Sequence, residues 1–351
     1  MAESSIAELS CPSPIRANDT VLLGHGSGGK LSAELVREVF LPALGNSTLS
    51  RLDDQAVVGV NGQRLAFTTD SFVVKPLFFP GGDIGSLAVN GTINDLAMGG
   101  ATPLFLSAAF IIEEGFPIEQ LRRMVASMRA AADSAGVQIV TGDTKVVERG
   151  KGDGVFINTS GVGLVANGVD LSASNARPGD KVLLNGPIGE HGIAILAQRE
   201  GLEFETTIQS DSAALHTLTA AMLRSSSAIR CMRDPTRGGL SSTLNEVAGQ
   251  SRVGIELEES AIPIADEVAG ACELLGLDPL YVANEGKLVA IVEPEDADRV
   301  LAAMRRHPLG KESRIIGTIR ESASSLVTMR TTLGTTRIVD MLAGDQLPRI
   351  C

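Results

Sequence analysis

Aspartates standing beside small residues recur through the first half of the chain: Asp53 and Asp54 in LDDQAVV, Asp70 in TTDS, Asp95 in NDLAMGG and Asp143 in GDTK. Carboxylates grouped at strand ends hold Mg2+, and Mg2+ bridges phosphate oxygens, so the set is what an ATP site needs. A single Asp beside Gly also marks a turn or a helix cap. The recurrence, more than any one position, points to phosphate chemistry.

Three further motifs carry groups suited to the same task. HGSGGK, residues 25–30, reads as a loop between a strand and a helix, with unshielded amides to wrap an anion, Lys30 to add charge and His25 as a weaker candidate. Its spacing is not that of a Walker loop, GxxxxGK[ST]. In GDTKVVE, Asp143, Lys145 and Glu148 read as following a buried strand, which would give Lys145 a rigid base from which to steady phosphoryl charge. In RDPTRGG, residues 233–239, a turn feeding a helix brings Asp234 together with the guanidinium groups of Arg233 and Arg237. Glu285 in NEGK precedes an apolar strand, a position that desolvates a carboxyl, raises its pKa and suits it to act as a general base.

The chain ends DQLPRIC, with a thiol on the last residue, Cys351, behind Pro348. Seven extended residues reach about 25 Å, enough to carry a group between a partner's surface and an internal pocket. An ordinary thiol is mostly protonated at neutral pH, so loading Cys351 calls for an activated acyl donor. The other cysteines, Cys11, Cys231 and Cys272, read as structural, and His191, His216 and His307 as surface or packing residues.

A chain of 351 residues, 44% of them hydrophobic, has material for two domain cores. A formal net charge of -12 argues against a nucleic-acid partner and suits bound divalent metal. The cysteines form no CxxC pair, which reads as cytoplasmic chemistry without a disulfide framework. No basic stretch leads into an apolar segment in the first twenty residues and no apolar run reaches spanning length, so neither a secretory leader nor a membrane partner is expected.

Short apolar strands alternate with amphipathic helices, the pattern of a mixed α/β chain. Strands are expected at residues 64–69, 103–112, 137–140 and 155–165, and a helix from Pro117 to Ala135 that stops at Gly136. ArgProGlyAsp, inside 175–180, marks a boundary. Beyond it, strands are expected at 181–184, 253–257, 288–292 and 314–319, then a hairpin at Leu333 and Gly334. The resulting division is a leader to residue 20, domains at 21–174 and 175–343, and a mobile carrier tail at 344–351.

Together, HGSGGK, DDQAVV, TTDS, NGTINDLAMGG, TGDTKVVE, RDPTRGGL, NEGK and the terminal PRIC resemble, in order, the HypE family of hydrogenase maturation proteins. That family lies in the superfamily of aminoimidazole ribonucleotide synthetase and selenophosphate synthetase. The resemblance implies an α+β fold of two domains and a homodimer in which N-terminal strands of both subunits build a shared barrel, with ATP beside it. It implies that Asp53 or Asp54, Asp70, Asp95 and Asp143 hold Mg2+ and phosphates, with Asp234 completing the metal site and Lys30, Asn94, Thr144 and Arg237 on the nucleotide. Lys145 and Glu285 would flank a carbamoyl group carried on Cys351, loaded by the carbamoyltransferase HypF, dehydrated to a nitrile, and passed to HypC and HypD as cyanide for iron. Two other readings remain open from the residues: a superfamily kinase or synthetase acting on a diffusible substrate, and a maturation scaffold without catalysis.

Overall fold

The computed structural model describes residues 20–202, 208–344 and 349–351, and Cys11 and the middle of the tail lie outside them. Two sheets organise the chain. The first has five strands in the order Ala56–Val60, Gln63–Phe72, Val155–Val165, Ala101–Glu113, Gln138–Val147, antiparallel except for the last pair. The second has seven, running from Thr336–Ile338 at one edge through Val327–Arg330, Gly254–Glu258, Arg314–Arg320, Lys181–Leu184 and Val289–Val292 to Ile229–Arg233 at the other. Together with their helices they make the expected α+β architecture.

Most expected elements are present with shifted ends. The helix spans Ile118–Ala135, with Pro117 at its N-cap and Gly136 in the left-handed region at its end. The strand expected at 137–140 runs on to Val147, so Asp143, Thr144 and Lys145 lie within a strand and not after one. That strand is an exposed edge, contrary to the buried strand expected there. HGSGGK also differs: a 3-10 turn, Leu23–Gly26, runs into its first two residues where a strand was expected ahead of it.

The sequence reading names no helix at Ile84–Met98, yet this helix is the centre of the molecule. Asp83 caps it, its carboxylate accepting from the backbone N–H groups of Gly85 and Ser86. It is buried nearly all round, against the first sheet, the helix Ile118–Ala135 and the helix His216–Ser225. Such a helix shows no polar stripe, and its small residues allow close approach, which hides it from a search for amphipathic periodicity. Leu87, Ile93 and Leu96 are fully buried in it. Leu96→Ala should therefore destabilise the protein by about 3 kcal/mol, read as a lower urea midpoint at unchanged slope.

One face of the first sheet covers this helix and the other is open. Along Gln63–Phe72, Ala66, Thr68 and Phe72 are buried, while Phe67 and the alternate positions face out. Phe105, Ile111 and Leu164 are exposed on the same side as Phe67. The open apolar face ends at the unpaired edge of Gln138–Val147.

Candidate active site

A cavity of about 260 Å³ lies where the central helix, the strand Gln63–Phe72 and the second sheet meet. Asp54 enters it just before the first strand, Asp70 near the end of the second, and Asp95 from the last turn of the central helix. Asp95 thus stands on a helix, not at a strand end. The strand Ile229–Arg233 ends the second sheet beside the cavity and delivers Arg233 and Asp234. The turn after it leads into the helix Gly239–Ser251, which adds Thr243 and Glu246, while Arg237 projects from the turn. Glu285 arrives just ahead of the buried strand Val289–Val292, and Cys351, the last residue, completes the wall.

The chemistry of this wall is unbalanced. Six carboxylates, Asp54, Asp70, Asp95, Asp234, Glu246 and Glu285, face the guanidinium groups of Arg233 and Arg237. Arg233 lies 2.8 Å from Asp54 and 2.7 Å from Glu246. Thr68 donates to Asp95 at 2.7 Å, and Asp70 accepts from the Ser71 N–H at 2.8 Å. Asp54 Oδ2 and Glu285 Oε1 are buried and have no hydrogen-bond partner among the described residues.

Burial accordingly pushes the pKa of Asp54 and of Asp95 well above the usual carboxylate range, with neighbouring carboxylates adding to it, and raises Asp70 in the same direction. Asp234 is pushed up to about 6, mainly by burial and against the pull of Arg233. Glu285, 3% exposed, is raised well above its ordinary value by burial and then by Asp70 and Asp234. Burial also raises the Cys351 thiol, with Arg237 opposing, so the docked sulfur is protonated.

These orphaned oxygens fit a cation. Among the described residues no three His, Cys, Asp or Glu side chains close into a cage. An open, carboxylate-rich wall suits Mg2+, which keeps several waters and is bound through a few carboxylates together with substrate phosphates.

The other expected site residues stand elsewhere. Asp53 is engaged in structure: its carboxylate accepts from Ser172 Oγ at 3.0 Å and Ala173 N–H at 3.1 Å, and Arg51 pairs with it at 2.9 Å. Lys30 pairs with Asp340 at 2.6 Å on the surface, and His25 bonds locally to the Leu22 N–H. From HGSGGK only Gly28 lines the cavity, and it does so because a side chain cannot stand there: its φ is +75° and a Cβ would fall 2.6 Å from the Arg237 carbonyl oxygen. Asn94 is buried and braces the base, donating to the carbonyls of Ala213 and Glu285 and accepting from the Leu215 N–H.

Asp143, Thr144 and Lys145 lie outside the cavity of their own chain. Asp70 pairs across the sheet with Thr159, Thr159 with Ala108, and Ala108 with Gly142, three strand spacings or about 14 Å away. Asp143 and Lys145 then project from the open face, opposite the one that carries Asp70. Each is more than half exposed, and they pair with each other at 2.9 Å.

Glu246 was not legible in the sequence, since no local motif marks it. His191, expected to be a surface or packing residue, is fully buried and bonds to the docked tail.

Two family models match the chain, the AIR synthase related protein N-terminal domain over residues 52–165 and its C-terminal domain over 177–329. A curated relative, the carbamoyl dehydratase HypE of Cupriavidus necator, is 60% identical over 330 residues, 94% of each chain. The chain belongs to the HypE family of the AIR synthase superfamily. Solved HypE structures share the fold. HypE in a HypE–HypF complex superposes with a TM-score of 0.84 at 51% identity, covering 88% of this chain and 99% of that one. HypE in complex with ATP gives 0.80 at 48%, covering 95% and 100%.

Membership of this ATP-binding family joins the electrostatics in a testable way. Because Asp234 rises from 3.8 to about 6 on folding, the native state without ligand binds more protons than the unfolded chain across that window. Its contribution therefore lowers stability as pH rises through the window, and Asp54, Asp95 and Glu285 act in the same sense. Mg2+ with nucleotide must displace those protons, so its increment in Tm should be larger at pH 7.5 than at pH 5.5. Differential scanning calorimetry showing an equal or smaller increment at pH 7.5 would refute this account.

Proposed function

We propose that the chain is an ATP-dependent dehydratase that turns an S-carbamoyl group on its own Cys351 into S-bound cyanide for a hydrogenase iron centre. The observation that supports this most directly is the terminal thiol standing in the carboxylate-rich cavity beside Glu285 and Arg237.

The carbamoyl amide oxygen is a poor leaving group. Attack of that oxygen on the terminal phosphorus of ATP, with loss of ADP, makes it a phosphate ester. Removal of both nitrogen protons and departure of phosphate then leave the C≡N triple bond on sulfur. The net change converts thiocarbamate and ATP to thiocyanate, ADP and phosphate. Asp54, Asp70, Asp95 and Asp234 are the residues to hold Mg2+, which supplies neutralising charge to the triphosphate. Asp53 is set aside because its carboxylate is already engaged. Arg237, which lines the same cavity, would meet charge developing on the reacting oxygen, and Glu285, its pKa raised by burial, would take a nitrogen proton.

In this reading the chain is a homodimer, and its open apolar sheet face and bare edge strand are covered by a second copy. Asp143, Thr144 and Lys145 then serve the partner's cavity, which accounts for their distance from their own. The docked thiol is protonated and half-buried in the cavity wall, so in this reading loading by HypF takes place with the tail outside the cavity, and transfer of cyanide to HypC–HypD requires the same exit. The division into domains at 21–174 and 175–343 with a carrier tail at 344–351 belongs to this reading, as does a cytoplasmic location. Among the described residues no helix is long and apolar enough to cross a membrane.

Intact mass tests the chemistry. Protein loaded by HypF with carbamoyl phosphate should lose one water from the adduct only when MgATP is added, and Cys351→Ala should carry no adduct while still binding ATP. An adduct that persists with MgATP under active conditions would overturn the dehydratase. The dimer site has its own test: Lys145→Ala and Glu285→Gln should each be nearly inactive alone, yet regain activity when mixed and allowed to exchange subunits. No recovery after verified exchange would assign both residues to one chain's site.

A further inference from the structure

The seat of the tail is built in detail. The last three residues lie beside residues 73–75, with Arg349 in the left-handed region at φ 55°, the Val73 N–H donating to the Cys351 carbonyl at 2.9 Å and the Lys75 N–H to the Arg349 carbonyl at 3.1 Å. Arg349 pairs with Asp153. Arg199 donates to the carbonyls of Lys75 and Arg349, both at 2.8 Å. Ile350, 4% exposed, is packed into the core of the first domain with Phe72 and Val74.

The inward-facing carbonyl of Ile350 meets a side chain from the other half of the molecule. His191 Nε2 lies 2.8 Å from it. A carbonyl only accepts, so Nε2 carries the proton, and in the neutral ring Nδ1 is an acceptor. Ser210 Oγ, 2.7 Å from Nδ1, donates to it and itself accepts from the Ser212 N–H at 3.1 Å. Ser212 Oγ in turn accepts from Asn90 of the central helix at 3.1 Å. Phe79 closes the ring's side edge-on, with centroids 5.6 Å apart. Burial lowers the His191 pKa, which keeps this single tautomer.

The same residues grip the proposed base. Asp211, next to Ser210, accepts from the backbone N–H groups of Glu285 at 3.0 Å and Gly286 at 3.1 Å. Glu190, next to His191, pairs with Lys287 at 2.9 Å, and the Gly192 N–H donates to the Ala283 carbonyl at 3.1 Å. One polar cluster therefore holds Glu285 and the residue preceding the thiol.

We infer that His191 is a positioning residue: it locks the docked tail through the Ile350 carbonyl and sets the register of Cys351 against Glu285. It touches neither the thiol nor the nucleotide wall. The consequence for catalysis rests on the reading of Cys351 as carrier; the seat itself does not.

The experiment compares wild type, His191→Leu, His191→Gln and Ser210→Ala as full-length protein. Cys351 is alkylated with iodoacetamide and followed by mass of the C-terminal peptide, because release of the tail should expose the half-buried, protonated thiol and speed its reaction. His191→Leu fills similar space and strands the Ile350 carbonyl, and should speed alkylation about tenfold. His191→Gln still offers an N–H at the same reach and should stay within about twofold of wild type, a rescue that a packing role alone does not produce. Ser210→Ala should move the rate in the direction of His191→Leu by a smaller factor. On protein loaded beforehand and given MgATP, His191→Leu should slow single-turnover dehydration while His191→Gln does not. Alkylation of His191→Leu at the wild-type rate, or of His191→Gln at the rate of His191→Leu, would overturn the assignment. Alkylation needs no turnover, so it judges the seat whatever the dehydration assay gives.

Discussion

Enclosing six carboxylates with two guanidinium groups leaves a cavity short of positive charge, and much of the structure answers that deficit. Ionised carboxylates packed together repel in a medium that screens weakly, so several hold their protons until a cation arrives. Burial that would be a cost in an ordinary core leaves this wall ready to take up protons or a cation. The fold supplies rigidity to bear it: a capped, largely buried helix, a strand from each sheet, and a braced turn at Glu285.

The tail obeys the opposite logic. Its seat is made of backbone hydrogen bonds, one buried isoleucine and a few polar contacts, each modest in net worth. Such a seat holds the thiol beside Glu285 through contacts confined to the last three residues. Protonation of the docked thiol fits the same cycle, since a sulfur that is nucleophilic inside the cavity would compete for the reaction carried out there.

The open face of the first sheet is the third constraint. Phe67, Phe105, Ile111 and Leu164 leave more apolar surface bare than a lone chain tolerates well, and the edge strand beside them has unpaired backbone groups.

What the sequence determined by itself was local. The presence of most strands, the helix closed by Gly136, Asp234 and Arg237 on one turn, and Glu285 ahead of a buried strand all follow from spacing and turn chemistry, because each depends on neighbours a few residues away. The family resemblance rested on the same short motifs. Tertiary structure decided which of those aspartates share a cavity. Asp53 and Asp54 are adjacent in the chain, yet one is consumed by Ser172 and Ala173 and the other faces Arg233. It also decided that Lys145 lies three strands from Asp70 on the opposite face, and that His191 meets Ile350 across 159 positions. Pairings at that separation are set by sheet order and helix packing, which single-residue patterns do not encode.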